Sequence, residues 1–303
     1  MNQPMPYIDI VRIKASLAPF LALTRLNQPA DLALLLLPLL WGSWLASQGE
    51  PAIGPLILFV LSATALRCAA HAFNDVMEKR LLIVAPDSLV AQGRISMPLA
   101  HQSSVGLLSA AVLLLLPLPD PALYFAPLAL VIAIAFPFIK RRTFLTQVFM
   151  GLGYAWTIPM AYATQGIVPD KTAWLLFVAV LLWATAFTTL FAMSRSLYES
   201  KVGIGSLAQI MGSFSPYLVA LLQLGAMVAI WLTARQAKLG IYPDLAMLTA
   251  LALLIYQQYL IKVHDSRSGP LMAYHNNIWV GIALFCGFAF HFLCVCAVPA
   301  TAS

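Results

Sequence analysis

The sequence predicts an all-α membrane protein with about nine transmembrane helices. Of the 303 residues, 61% are hydrophobic and 9% are charged, and the mean hydropathy is +0.87. A soluble domain carries about 25% charged residues, so this chain lacks the polar surface that contact with water requires. Its apolar residues also occur in runs of roughly 17 to 25, which is the length of a helix that crosses a bilayer.

Nine apolar runs predict the spans in chain order. The first four cover about 31–47, 52–73, 103–118 and 122–139. Only Pro119, Asp120 and Pro121 separate the third from the fourth, so we expect a tight hairpin there. The other five cover about 146–164, 172–193, 214–233, 242–262 and 274–298. Since no convincing internal repeat and no soluble segment is apparent, residues 1–303 are predicted to form a single membrane-embedded domain.

The basic residues predict the orientation of the spans. If the N-terminus is cytoplasmic, only Lys171, Arg235 and Lys238 lie outside, and Arg67 lies within a span. Loops rich in Lys and Arg stay in the cytoplasm, so we expect a cytoplasmic N-terminus and an external C-terminus. Thirteen basic residues then lie inside: Arg12, Lys14, Arg25, Lys79, Arg80, Arg94, Lys140, Arg141, Arg142, Arg195, Lys201, Lys262 and Arg267.

Charge and cysteine content exclude several other classes. The net charge is +6, but Lys and Arg occur singly or in short groups between apolar runs, which excludes a nucleic-acid-binding stripe. Such residues next to spans contact lipid phosphates or other anions. The four cysteines lie in apolar runs without a C-x-x-C pair, so they are predicted core residues. No signal or transit peptide is apparent, which favours a bacterial inner membrane.

A polar cluster begins inside the second predicted span. At 100° per residue, Arg67, His71, Asn74 and Glu78 lie within about 60° of one another, with Asp75 beside them. Ionisable groups at membrane depth cost at least about 2.5–3.5 kcal/mol each, so this face predicts a functional site on the cytoplasmic side. The alternative is a structural network that joins Arg67 to Glu78 or to carbonyl groups.

Two further groups of charged residues follow later spans. Lys140, Arg141 and Arg142 come after the fourth span, where they act as a topology signal or contact an anionic ligand. Arg195 and Glu199 come after the sixth span and are four residues apart, so they can pair on one helix face.

Residues 67–78 resemble the first aspartate-rich motif of the UbiA superfamily of intramembrane prenyltransferases, N-D-x-x-D-x-x-x-D with a preceding Arg. Other segments resemble the same family and follow in its order, so the resemblance runs nearly from end to end. These segments are 25–41, 93–96, 137–141, 156–161, 201–206, 256–258 and 276–277.

The resemblance implies a fold, a reaction and a set of site residues. The helices surround a central cavity, where Mg²⁺ ions held by two acidic motifs bind the diphosphate of a polyprenyl donor. Ionisation then gives an allylic cation that alkylates an aromatic acceptor such as 4-hydroxybenzoate. The implied metal ligands are Asn74, Asp75, Glu78 and Glu199, the catalytic residues are Asp75, Glu78, Arg195 and Glu199, and the substrate or diphosphate contacts are Arg67, Asn74, Lys140, Arg141 and Lys201.

This sequence departs from the family pattern at both acidic motifs. Leu82 replaces the last acid of the first motif, and Arg195 stands at an acidic position of the second. Either Arg195 binds diphosphate in place of a metal, so that one Mg²⁺ suffices, or it fills the metal site by pairing with Glu199 and abolishes activity. The alternatives to a prenyltransferase are therefore a non-catalytic homologue that binds a prenyl lipid or quinone or acts as a scaffold, and a membrane-embedded terpene cyclase.

Overall fold

The computed structural model describes residues 18–80, 88–201 and 205–296, without the side chains of 197–199 and 295–296. Every regular element in these ranges is helical, and residues 18–23 form a helical segment before the first complete helix. The helices are α1 (Pro29–Ala46), α2 (Ile53–Arg80), α3 (Met97–Leu115), α4 (Asp120–Ile139), α5 (Thr146–Ala155), α6 (Thr157–Thr164), α7 (Lys171–Lys201), α8 (Leu207–Met211), α9 (Ser215–Gln236), α10 (Ile241–Val263) and α11 (Ser268–Cys296).

Eight helical segments in the described part of the chain are long and apolar enough to cross a membrane. The expected count of nine is therefore not matched by nine long helices, because the fifth predicted span, 146–164, consists of the short helices α5 and α6. Trp156 separates them, and Pro159 lacks the N–H that would bond to the carbonyl group of Ala155. The orientation of the helices in the bilayer stays a prediction.

Local signals set several helix ends. The Ser96 hydroxyl accepts a hydrogen bond from the backbone N–H of Leu99 at the start of α3. Before α11, the Asp265 carboxylate accepts bonds from the backbone N–H groups of Arg267 and Ser268 at 2.9 and 2.8 Å. Hydrogen bonds from Ser268 and Arg267 lower the pKa of Asp265 to about 2. The expected hairpin is present, since α3 ends at Leu115 and α4 begins at Asp120.

Helix α7 lies at the centre of the bundle, where two tryptophans stack. The rings of Trp41 on α1 and Trp183 on α7 are 5.0 Å apart, and both side chains are fully buried. Their N–H groups are also satisfied, since Trp41 donates to the carbonyl oxygen of Gly281 and Trp183 donates to the side chain of Asn277. Buried indoles with paired N–H groups join α1, α7 and α11.

The outer surface of the bundle is apolar. Large hydrophobic residues are more than 60% exposed on six different helices, which would be unfavourable in water but suits a lipid environment. Together with the long apolar helices, this surface identifies an integral membrane protein. Examples of these side chains are Leu113, Leu221, Leu248, Ile255 and Leu293, together with Ile53 near the start of α2.

Candidate functional site

A cavity of about 330 Å³ lies among α2, α4, α5, α6 and α7. Much of its wall is apolar, with side chains such as Phe59, Leu66, Leu130, Phe149 and Met160. An apolar cavity with a few polar groups suits a ligand that has a charged head and a hydrocarbon body. The polar and charged side chains in its wall include Arg25, Arg67, His71, Asn74, Glu78, Lys140, Gln147, Tyr154, Thr188 and Arg195.

The C-terminal ends of α2 and α4 bring Asn74, Glu78 and Lys140 into one buried cluster. Lys140 Nζ lies 2.8 Å from Glu78 Oε1 and donates a hydrogen bond of 2.6 Å to Asn74 Oδ1. Asn74 Nδ2 donates to the same Glu78 oxygen at 2.9 Å, as residues four apart on a helix can. The side chains of Lys140 and Glu78 are only 6% and 7% exposed. Burial lowers the pKa of Lys140, and the Glu78 charge opposes this effect.

The structure separates Asp75 from this cluster. Its carboxylate oxygen Oδ2 accepts a bond of 3.0 Å from the backbone N–H of Leu89, and Asp75 is not among the residues that line the cavity. No group of three or more His, Cys, Asp or Glu side chains suitable for a metal is formed within the described residues. The three first-motif ligands implied by the resemblance are thus only partly assembled, with Asn74 and Glu78 together and Asp75 turned to the loop.

One carboxylate oxygen in the cluster is suited to a metal ion. Glu78 Oε2 is buried and has no hydrogen-bond partner among the residues that the structure describes. Mg²⁺ in proteins is commonly bound by one or two carboxylates, with substrate phosphates and waters as its remaining ligands. Glu78 therefore fits as a protein ligand of a single ion that a diphosphate would help to hold.

A second charged group joins three helices at the cavity wall. Arg67 on α2 lies 3.5 Å from the Asp31 carboxylate on α1, measured from Nη2 to Oδ2. The Tyr274 hydroxyl on α11 donates a bond of 2.6 Å to the other carboxylate oxygen, Oδ1. Arg67 Nη1 is buried without a partner in the described ranges. The alternative in which Arg67 pairs with Glu78 is wrong, since Glu78 pairs with Lys140 and Arg67 with Asp31.

The second motif contributes Arg195 to the cavity. Its guanidinium carbon lies 5.4 Å from the centre of the Phe191 ring, one turn earlier on α7. The Glu199 backbone belongs to α7, but its side chain lies outside the described residues, as does Leu82. The expected pairing of Arg195 with Glu199 therefore stays a prediction. Arg141 and Lys201 are exposed and do not line the cavity, whereas Lys140 does.

Sequence reasoning did not select Asp31, Tyr274, Gln147 or Thr188. Asp31 carried a usable signal, because it is an ionisable residue at the start of an apolar span. The other three carried none, since a Tyr, Gln or Thr in an apolar run is common in membrane helices and becomes informative only when its neighbours are known.

Comparison with known proteins identifies a family and several relatives of this chain. Residues 35–279 match the model of the UbiA prenyltransferase family. A 4-hydroxybenzoate octaprenyltransferase from Hahella chejuensis is 33% identical over 295 residues, which are 96% of this chain and 98% of that protein. Another of the same name from Marinobacter nauticus is 34% identical over 281 residues, 91% of this chain and 95% of that protein.

Solved structures share the fold at low sequence identity. A UbiA homologue from Aeropyrum pernix K1 superposes with a TM-score of 0.73 at 18% identity, covering 86% of this chain and 97% of that one. A UbiA homologue from Archaeoglobus fulgidus bound to GPP and Mg²⁺ gives a TM-score of 0.69 at 15% identity, covering 91% and 99%. Since the family model and these relatives cover most of the chain, it belongs to the UbiA prenyltransferase family.

Proposed function

We propose that this protein transfers a polyprenyl group from a diphosphate donor to an aromatic acid of the 4-hydroxybenzoate type. The observation that carries the proposal is a single cavity whose wall is largely apolar but includes Glu78, Lys140, Arg67 and Arg195. Family membership and the names of the curated relatives support the same activity.

The charged side chains divide between the two substrates in this proposal. Lys140 and Arg195 bind the donor's diphosphate, and Arg67 binds the acceptor's carboxylate through its unpartnered Nη1. In the reaction, the bond between the allylic carbon and the diphosphate oxygen breaks and the diphosphate leaves with the electron pair. A ring carbon of the acceptor then bonds to the allylic carbon and releases a proton. Two fixed cations near the leaving group stabilise the charge that develops on it.

Mg²⁺ is proposed as the cofactor, with Glu78 and Asn74 as the described residues that would hold it. The bound ion supplies further neutralisation of the diphosphate. We propose a single ion, because Glu78 offers one unpartnered oxygen, Asp75 bonds to Leu89, and Arg195 stands where the second motif usually has an acid. A role for Glu199 as a further ligand belongs to the same proposal.

The apolar wall has two tasks. Phe59, Leu130 and Met160 offer hydrocarbon surface to the prenyl chain, and they keep water away from the allylic cation.

We also propose that the protein lies in a bacterial inner membrane with the charged residues on the cytoplasmic side. A single cysteine introduced at Lys262 or at Lys238, in a variant whose four native cysteines are replaced by serine, tests this orientation. In intact cells an impermeant thiol reagent should label the cysteine at position 238 and not the one at position 262.

The activity is tested with the full chain purified in detergent. Mg²⁺, a polyprenyl diphosphate and 4-hydroxybenzoate are added, and prenylated product is measured by mass spectrometry. Glu78→Gln should lower kcat by about 100-fold, because the Mg²⁺ ion that Glu78 would hold could no longer neutralise the charge on the leaving diphosphate. The control Asp244→Asn removes an exposed carboxylate outside the cavity and should retain activity. Absence of product from the wild-type protein would refute the proposal.

Arg195 is tested by two substitutions. If it binds diphosphate in place of a metal, Arg195→Ala should weaken donor binding by about tenfold or more, in line with a bond to a charged group. If it closes a metal site instead, Arg195→Asp should restore dependence on Mg²⁺. Lys262→Ala is the control, because this cation is exposed outside the cavity. Unchanged donor binding and metal dependence in both variants would remove Arg195 from the mechanism.

A non-catalytic role in binding a prenyl lipid or quinone is the second candidate. It is favoured by one contact, since Lys140 already neutralises the Glu78 oxygen that faces it. In that case the protein would bind donor without turnover, and neither Mg²⁺ nor Glu78→Gln would change its affinity.

A further inference from the structure

Asp31, Arg67 and Tyr274 form a chain of polar contacts that the proposed reaction does not yet use. Asp31 lies on α1, Arg67 on α2 and Tyr274 on α11. Asp31 and Tyr274 are 243 residues apart in sequence. Tyr274 donates to Asp31 Oδ1 at 2.6 Å, and Asp31 Oδ2 lies 3.5 Å from Arg67 Nη2. Both oxygens of the carboxylate are therefore engaged, one by a neutral donor and one by a cation.

This contact chain leaves Arg67 half satisfied. Nη2 faces Asp31, whereas Nη1 is buried without a partner in the described part of the protein, and Arg67 is a wall residue of the cavity. An unmet donor on a side chain that is 9% exposed costs free energy unless a ligand completes it. A planar guanidinium held at one edge presents its other nitrogen in a fixed direction, which favours a carboxylate over a neutral group.

We propose that Asp31 and Tyr274 are positioning residues that fix the Arg67 guanidinium so that it selects an acceptor carrying a carboxylate. The inference rests on the proposed function for the identity of the acceptor. The Asp31 carboxylate pairs with Arg67 Nη2, and the Tyr274 hydroxyl donates a hydrogen bond to the same carboxylate. The bond that Arg67 makes to the acceptor therefore depends on a tyrosine hydroxyl on the last helix.

The test uses substitutions that leave the charge unchanged, because removal of Asp31 would alter both the geometry and the electrostatic potential. Tyr274→Phe removes only the hydroxyl bond, and Asp31→Glu keeps the charge but displaces the carboxylate. Tyr162→Phe, in the buried core, and Asp244→Glu, in the exposed Arg235–Asp244 pair, are matched controls.

Binding of 4-hydroxybenzoate and of 4-hydroxybenzamide is measured by calorimetry on each purified full-length variant. The wild type should prefer the acid. Tyr274→Phe and Asp31→Glu should weaken acid binding by about three- to tenfold, the range for one lost hydrogen bond, and should leave the amide unchanged. In turnover assays the KM for the acid should rise while the KM for the donor stays constant. The two controls should match the wild type throughout.

The outcomes separate this inference from the proposed function. Equal binding of acid and amide by the wild type, or loss of both ligands to the same extent in Tyr274→Phe, would overturn the inference. Unchanged acid binding in both variants would also overturn it, even if the wild type turns over. Selective loss of acid binding in a protein without turnover would support the inference and refute the prenyltransferase activity.

Discussion

The ion pair between Lys140 and Glu78 allows a quantitative test of the site. Both side chains are more than 90% buried, and Lys140 Nζ also bonds to Asn74 at 2.6 Å. Lys140→Met removes the cation with little loss of volume and leaves the Glu78 carboxylate buried without a counter-charge. Breaking a buried pair in this way costs about 3–5 kcal/mol, whereas replacing both partners with neutral groups is often close to neutral. The double variant Lys140→Met/Glu78→Gln should therefore recover most of the loss.

The assay is the unfolding free energy of each variant, from reversible unfolding of the purified protein in mixed micelles. Lys140→Met should be about 3 kcal/mol or more less stable than the wild type, and the double variant should lie within about 1–2 kcal/mol of it. Lys262→Met, at an exposed position on α10, controls for the loss of a positive charge. The pairing would be refuted if Lys140→Met were as stable as the wild type. It would also be refuted if the double variant lost as much unfolding free energy as Lys140→Met and Glu78→Gln lose together.

Two further predictions concern packing and pH. In thermal unfolding, Gly151→Ala should have a lower melting temperature than Gly106→Ala. A methyl group at Gly151 would lie 2.9 Å from the Leu181 carbonyl oxygen, whereas nothing lies within 4 Å of one at Gly106. Equal melting temperatures would contradict the close approach of α5 and α7. Burial already holds the Lys140 pKa below 10.5 and Glu78 opposes this, so Glu78→Gln should lower it further. Between the Lys140 pKa of the folded protein and that of the unfolded chain, the unfolded chain binds more protons than the folded one. The unfolding free energy of Glu78→Gln should therefore rise with pH more steeply than that of the wild type as pH approaches 10.5. Parallel slopes for the two proteins would contradict this prediction.

Much of the fold follows from the sequence, while part of the site does not. The spans could be located because an apolar run of bilayer length is a local property, and the predicted bounds 242–262 and 122–139 lie within two residues of α10 and α4. The broken fifth span was not foreseen, although Pro159 is visible in the sequence, because proline is tolerated in many membrane helices and its effect depends on the neighbouring helices. Asn74 and Glu78 were grouped correctly, since a spacing of four defines a helix face.

The sequence by itself determined that this protein lies in a membrane and that it resembles the UbiA family. Composition, the length of the apolar runs and the order of the motifs do not depend on how the helices pack. Only the tertiary structure decided which charges meet. Lys140 approaches Glu78, Arg67 approaches Asp31, and Asp75 turns to the Leu89 backbone, although all of these lie on or beside helices that the sequence locates. The rotation and crossing of the helices set these partners, and those angles result from contacts between side chains distant in the chain.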